Sequence, residues 1–342
     1  MSRLDQEPSV IALAAELGLR GDPVEAVIGF CHAKIDRWVK GRGGVASVAD
    51  LESLVTEQLQ LTFEELFTDE DLERMIAKYV AQREPVFASL RHGLDSSTFG
   101  TTIRRRSSRG ASPKDKYVAV IDCRGEKGAR RFFTRWHEIA HLLVLERELD
   151  APVRRSTDDP LEQVMDSIAG RIGFYEPIFA PILARRHGGA LLSFATIDAV
   201  RKDYCDHASF QATLFACQRR LSTPLVYVEA EMKYKAEEER RLRSSQKRLF
   251  EDDPPVAKLR VPLVVPNEAA TDQNFRVMPN MRVPETSVIH QLHEDASREE
   301  ASGEENLRSW EFSDGKTLPD CRVWIEAKRA GNRVFAIIQP LN

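Results

Sequence analysis

The chain has 342 residues, 42% of them hydrophobic, so it is long enough for two or three domains with buried cores. Its 49 lysines and arginines nearly balance 53 acidic residues, and the net charge of −4 excludes a global attraction to nucleic acid or anionic membranes. Five scattered cysteines without a CxxC pair exclude a disulfide framework and a zinc ribbon. Because no secretory signal pattern and no long apolar run are present either, we expect a cytoplasmic protein.

Residues 1–85 are predicted to form a helical N-terminal extension. Apolar side chains recur in this segment at helical spacing. Ser47 with Asp50, and Thr68 with Asp71, occupy capping-box positions that indicate the starts of two helices. No chemistry is visible in the extension.

Two strands and several helices are predicted next. Residues 97–106 are rich in β-branched side chains and residues 117–122, YVAVID, form a continuous apolar run, so we expect two strands joined by a basic loop. The pattern becomes helical from about residue 128 to 147. A second helix is expected after Asp159, a suitable N-cap, because Pro160 suits the first helical position.

The C-terminal part, residues 223–342, is predicted to be a separate domain with an α/β or α+β pattern. The charged segment 233–248 mixes signs and is expected to be an exposed helix, whereas the polar, acidic residues 293–306 are expected to form a mobile loop. The strand-like runs cover residues 225–230, 259–265, 321–327 and 333–339.

The helix predicted around residue 137 carries the pattern HEIAH. Residues four apart on a helix project from one face, so His137 and His141 can hold one Zn²⁺ through their imidazole nitrogens. Glu138 then lies beside the metal's open position, where it can take a proton from water and pass it to a leaving amine. This is the HExxH arrangement of zinc peptidases.

The alternative to a metal site is an amphipathic helix whose histidines lie at the edge of a core. Most residues around the motif are apolar, so the helix is expected to be buried on most of its surface. Burying two histidines and a glutamate without partners is costly, and coordination to a metal removes that cost. The setting therefore favours the metal site.

A third ligand is predicted in the following helix. Glu162 lies 21 residues beyond His141, and an antiparallel return would bring it back to the HExxH helix. Asp166, one turn further on, is suited to accept the second ring N–H of a ligand histidine. Alternatively, Glu162 only completes a capping box with Asp159. Two histidines and one glutamate would leave the fourth zinc position open, as catalysis requires.

These motifs resemble the ImmA/IrrE family of bacterial zinc metallopeptidases. The segment YVAVIDCRGEKGARRFFTRWHEIAHLLV is similar to that family's strand, loop and HExxH helix, and EQVMDSIAGRIGFYEP is similar to its second helix. The resemblance is strong over about residues 115–180 and weaker over 180–222. It implies His137, His141 and Glu162 as ligands, Glu138 as catalytic base, and Asp166 where the family often has Asn. The departures from the family pattern are Met165, Gly173 and Tyr175.

The resemblance also implies an α+β architecture with three parts. A helical N-terminal extension would precede a zincin-like metallopeptidase domain over residues 86–222, with a small sheet and the HExxH helix. Residues 180–222 would form a helical linker unit, either helix-turn-helix-like or made of plain packing helices. Residues 223–342 would then form an α/β GAF-like sensor domain.

Members of this family cut helix-turn-helix repressors and thereby induce DNA-damage or antiphage responses. One branch controls CBASS antiphage operons and responds to single-stranded DNA. The resemblance therefore implies a zinc endopeptidase with a helix-turn-helix repressor as substrate, a ligand such as single-stranded DNA as activator, and no membrane partner. The alternatives are a catalytically inactive zinc-binding interaction or sensor protein, and a broad-specificity peptidase.

Two further features have both a functional and a plain explanation. The densest basic cluster could contact nucleic-acid phosphates or be a solvated hairpin loop; it consists of Arg104, Arg105, Arg106 and Arg109. Cys123, in the loop before the HExxH helix, could bind the open zinc position as a cysteine switch or be a small buried residue. No residue is assigned as the oxyanion donor.

Overall fold

The computed structural model describes residues 4–95, 97–105, 116–144, 159–243, 255–312 and 314–341. These residues form a mixed structure of helices and strands, which confirms the predicted α+β class. The chain divides into two compact units. Unit 1 comprises Met1–Arg186 and Asp198–Ala216, and unit 2 comprises His187–Ile197 and Cys217–Asn342.

The first part of the chain combines helices with three short strands. In chain order these are α1 (Pro8–Glu16), α2 (Pro23–Arg42), α3 (Val48–Leu59), β1 (Leu61–Leu66), α4 (Asp69–Ala81), α5 (Leu90–Gly93), β2 (Gly100–Arg104), β3 (Tyr117–Asp122), α6 (Arg131–Val144), α7 (Pro160–Ile172), α8 (Glu176–His187), α9 (Phe194–Tyr204) and α10 (Phe210–Gln218).

The sheet of unit 1 has the order β1-β3-β2. β2 pairs with β3 in the antiparallel sense, as two strands joined by a loop should, and β1 pairs with β3 in the parallel sense. Every residue of the central strand β3 is buried, which explains the apolar run over its first five residues. The predicted basic loop between β2 and β3 lies largely outside the described residues.

The N-terminal segment is mainly helical, but it also supplies β1, which the sequence analysis did not predict. The signals at its borders are helical: Ser47 caps α3, and Thr68 with Asp71 forms a capping box at α4. The strand itself is short and carries two glutamates. In the structure, Glu64 accepts hydrogen bonds from Lys78 and Tyr79 of α4. The sequence around Glu64 does not indicate these partners, so its charge argued against a strand.

Helix α6 lies against β2 and β3 and also packs on α7. Ion pairs hold it to the N-terminal elements: Arg135 pairs with Glu52 of α3, and both Arg131 and Arg135 pair with Glu65 of β1. Burial raises the pKa of Glu65, but its hydrogen bonds to the two arginines outweigh burial and lower that pKa. The N-terminal segment therefore belongs to the same unit as α6 and supports it.

Helix α7 begins where the sequence indicated. Asp159 is its N-cap and accepts a hydrogen bond from the backbone N–H of Leu161, and Pro160 takes the first helical position. Gly173, at the other end of α7, is required for steric reasons. A Cβ atom there would lie 2.9 Å from the ring of the fully buried Trp136 of α6.

Unit 2 contains a five-stranded antiparallel sheet of order β5-β4-β8-β7-β6. The four runs predicted as strands all lie in this sheet. Its elements are β4 (Val226–Lys233), α11 (Ala236–Arg243), β5 (Lys258–Pro266), α12 (Glu268–Asp272), α13 (Val288–Glu294), β6 (Glu300–Asn306), β7 (Arg322–Ala330) and β8 (Arg333–Pro340).

Of the acidic stretch 293–306 predicted as a mobile loop, the second half forms strand β6, Glu300–Asn306, and the first two residues end α13. Its charges are matched across the neighbouring strand, because Glu300 pairs with Lys328 and Glu304 pairs with Arg322 of β7. The acidic composition therefore reflects cross-strand pairing. The charged segment after β4 is helical over Ala236–Arg243, as predicted, up to where its description ends. No helix in the described ranges combines the length and hydrophobicity needed to cross a membrane.

Candidate metal centre

Three side chains from α6 and α7 converge on one point. His137 Nε2 lies 3.0 Å from His141 Nε2 and 3.0 Å from Glu162 Oε2, and His141 Nε2 lies 3.4 Å from the same oxygen. The side chains are between 13% and 17% exposed, so the group is largely shielded from solvent. These three residues could hold a metal ion.

The spacing of the three atoms fits tetrahedral coordination. Ligands about 2.0 to 2.1 Å from a tetrahedral zinc ion are separated by about 3.3 Å. The distances of 3.0, 3.0 and 3.4 Å are close to that value. Two imidazole nitrogens and one carboxylate oxygen also match the donor set of catalytic zinc sites, in which the fourth position remains open. The residues present therefore fit zinc.

Glu162 lies where the ligand hypothesis places it. Its carboxylate, on α7, faces both histidines of α6. Capping of α7 is done by Asp159, which accepts a hydrogen bond from the N–H of Leu161. Burial raises the pKa of Glu162, yet its hydrogen bonds to His137 and His141 lower that pKa well below its usual range. The carboxylate is therefore ionised, as a metal ligand must be.

Asp166 lies on the far side of His137. Nδ1 of His137 is 2.8 Å from Asp166 Oδ1, which leaves Nε2 to face the other ligands. Burial alone would lower the pKa of His137, but hydrogen bonds to Asp166 and Glu162 raise it from 6.5 to about 10. A cation bound at Nε2 would compete with a proton for that nitrogen.

Glu138 is buried on the neighbouring side of α6 and faces strand β2. Its Oε2 accepts a hydrogen bond of 2.6 Å from the hydroxyl of Thr102. A Cβ atom on Gly100 would lie 2.7 Å from Oε1 of the same carboxylate. Sequence analysis did not find Thr102 or Gly100 as part of the site, because nothing local links them to a glutamate 36 or more residues away.

Cys123 does not join the metal-binding group, which among the described residues consists of the two histidines and Glu162. Its thiol is buried, and burial together with the nearby charge of Glu65 raises its pKa to about 11. Both observations favour the plain explanation, a small buried residue, over a thiolate switch.

Tyr175 is also buried, and its hydroxyl donates a hydrogen bond of 2.6 Å to Asp36.

The basic cluster is only partly described. Arg104 is exposed, but Arg105 is 11% exposed, donates a hydrogen bond to Gln82 and lies 3.6 Å from Glu84. Arg105 is thus used within the fold and is not a free phosphate contact. Arg106 and Arg109 lie outside the described residues.

No protein-family model and no curated protein matches the chain. The chemistry of the site has to be inferred from its own residues.

Proposed function

We propose that this chain is a zinc-dependent endopeptidase whose centre is built by α6, α7 and β2. The observation that carries the proposal is the convergence of His137, His141 and Glu162 within 3.4 Å of one another, next to the buried carboxylate of Glu138. If the two histidines were only part of a hydrophobic core, they would need neither a carboxylate as third partner nor a base beside them.

Zinc in this site would supply Lewis acidity that polarises a peptide carbonyl and makes water a stronger acid. Glu138 accepts the proton of the attacking water and delivers it to the leaving amine. Thr102 holds one oxygen of that carboxylate, so the other oxygen is the one available for proton transfer. Asp166 fixes the orientation of the His137 ring through Nδ1.

Strand β2 provides a surface for an extended peptide. It is an edge strand of the described sheet, and its residues Gly100 and Thr102 lie directly beside Glu138. An extended segment that adds to such an edge gains backbone hydrogen bonds, and its scissile bond would lie over the centre. This arrangement suits an endopeptidase that acts on an exposed chain segment.

The substrate class is proposed from the resemblance to the ImmA/IrrE family. A helix-turn-helix repressor would be the target, and its cleavage would induce a DNA-damage or antiphage response. Unit 2 would serve as the sensor, with a ligand such as single-stranded DNA as the activating signal. Its separation from unit 1 as a compact unit with its own sheet supports a distinct role.

The test is to incubate the zinc-loaded protein with candidate helix-turn-helix repressors, with and without single-stranded DNA. We expect one defined cut, which the Glu138→Gln variant does not make although it keeps its zinc. Unstructured casein serves as the second substrate. Extensive casein digestion would indicate a broad-specificity peptidase, and bound zinc without any cleavage would indicate a non-catalytic zinc-binding protein; either result overturns the proposal.

A further inference from the structure

The face of α6 that carries the candidate ligands continues toward the start of the helix. Phe133 and His137 are four residues apart and follow one another along this face, and Arg130 ends the 3-10 helix Gly125–Arg130 that leads directly into α6. The rings of Phe133 and His137 have centroids 6.5 Å apart. The guanidinium of Arg130 lies 5.9 Å from the Phe133 ring centroid. Side-chain contacts therefore connect Arg130, through Phe133, to His137 of the candidate centre.

Arg130 also contacts an aromatic ring next to the sheet. Its guanidinium carbon lies 4.2 Å from the centroid of Phe99, the residue directly before β2. Phe99 and Phe133 are both half-buried, whereas Arg130 is exposed. A cation therefore sits between the start of the edge strand and the start of the HExxH helix, at one end of the surface proposed for the peptide.

Arg130 differs from every other cation of the segment 124–135. The other four are paired with carboxylates: Arg124 and Lys127 with Asp122, Arg131 with Glu65, and Arg135 with both Glu52 and Glu65. Within the described part of the chain, Arg130 has aromatic partners and no ion pair. The fold thus neutralises four of these cations and leaves the fifth available.

Stacking on a ring suits a guanidinium that must still bind something else. The aromatic ring contacts the flat face of the guanidinium, and the five N–H donors remain free in its plane. Those donors match a carboxylate in a bidentate geometry. Because the ring contacts restrict the side chain beforehand, less conformational entropy is lost when a carboxylate binds.

We propose that Arg130 is a specificity-determining residue that recognises an acidic side chain of the substrate. The inference rests on the proposed peptidase function. Seven residues separate Arg130 from His137, which is about 10 Å along a helix, and an extended peptide covers about 3.3 Å per residue. The acidic residue would therefore lie about three residues from the scissile bond, on one side of it.

The test uses a peptide library built on the repressor segment that the protein cuts, in which each position around the cut is varied through all residues, so that thousands of sequences compete for the enzyme. The full-length, zinc-loaded protein cuts the library, and mass spectrometry identifies the residues around each cut. We expect Asp and Glu to be enriched about three positions from the cut, with roughly ten-fold faster cleavage than for neutral residues there. Arg130→Glu should replace this enrichment by Lys and Arg, and Arg130→Lys should keep a weaker acidic preference.

Arg20 offers a matched control, because it is also exposed and makes no ion pair in the described structure. Arg20→Glu changes the net charge by the same amount and should leave the sequence preference unaltered. Cuts without an acidic preference, or a preference that survives Arg130→Glu, would overturn the inference alone. A zinc-loaded protein that cuts no peptide would contradict the proposed function itself and remove the basis of the inference with it.

Discussion

The hydroxyl of Thr102 donates a hydrogen bond of 2.6 Å to the carboxylate of Glu138. This contact joins the edge strand β2 to the HExxH helix α6 and fixes one oxygen of the proposed base. Since both residues are buried, the contact cannot be replaced easily by bulk water. The position of Glu138 thus depends on a strand 36 residues earlier in the chain.

Thr102→Val should lower kcat by roughly ten-fold while the zinc content stays unchanged. Valine has the same shape but no hydroxyl, so one oxygen of Glu138 loses a charge-assisted hydrogen bond worth about 1.5 to 3 kcal/mol. Thr102→Ser keeps a hydroxyl and should restore most of the activity. If Thr102→Val were as active as the original protein, the hydrogen bond would have no part in positioning the base.

Gly100→Ala should lower activity about 100-fold without preventing folding, because a displaced catalytic group costs about that much. The added Cβ would lie 2.7 Å from both Glu138 Oε1 and Thr134 Cγ2, so the carboxylate has to move. Gly29→Ala in α2 is the control, since its Cβ would contact nothing within 4 Å. That variant should keep full activity, and equal activity losses in both variants would contradict the steric explanation.

Asp166→Ala should weaken zinc binding by about 10- to 100-fold, as the loss of a partner that orients a ligand histidine usually does. The variant loses the acceptor for Nδ1 of His137, whereas Asp166→Asn keeps a carbonyl oxygen at that place and should bind zinc more tightly than Asp166→Ala. Competition with a fluorescent zinc chelator measures both affinities. Unchanged affinity in Asp166→Ala would show that the His137 ring is held by other contacts.

Much of this architecture follows from local signals in the sequence. Capping residues such as Thr68 and Asp159 mark helix starts, and the apolar run of β3 marks a buried strand. The spacing of His137 and His141 predicts a shared helix face, and Glu162, predicted from its place at the start of the next helix, lies beside both histidines. These features depend on residues close together in the chain, where periodicity and capping chemistry carry the information.

The features that were missed depend on distant partners. β1 is recognisable only through its pairing with β3, and β6 only through the cations of β7 that neutralise its glutamates. The contact between Thr102 and Glu138 likewise requires the fold to be known. Sequence patterns identified the chemical groups of the candidate site, whereas the groups that position Glu138 required the three-dimensional structure.

Asp122→Asn should destabilise the protein by about 3 kcal/mol at neutral pH, because it breaks a buried charge pair. Asp122 is 1% exposed and binds Arg124 and Lys127. Burial alone would raise the pKa of this carboxyl, but those hydrogen bonds hold it below its usual 3.8. The stabilisation is therefore present above pH 3.8 and lost as the pH falls through the lower folded-state value.

Urea unfolding of the metal-free protein at a series of pH values measures this difference. The stability gap between the original protein and Asp122→Asn should narrow as the pH falls below 3.8. Asp69→Asn is the control: Asp69 pairs with the same Arg124 but is 84% exposed, so its loss should cost less than about 1 kcal/mol. A gap that stays constant down to the lowest pH would contradict the assignment.

The central claim is that His137, His141 and Glu162 hold a zinc ion whose fourth position is open. Zinc analysis combined with X-ray absorption at the zinc edge tests it most directly. We predict one zinc per chain, with only nitrogen and oxygen neighbours at about 2.0 to 2.2 Å, and loss of most of the zinc in Glu162→Ala. A protein without zinc, or a sulfur neighbour at about 2.3 Å, would contradict the account.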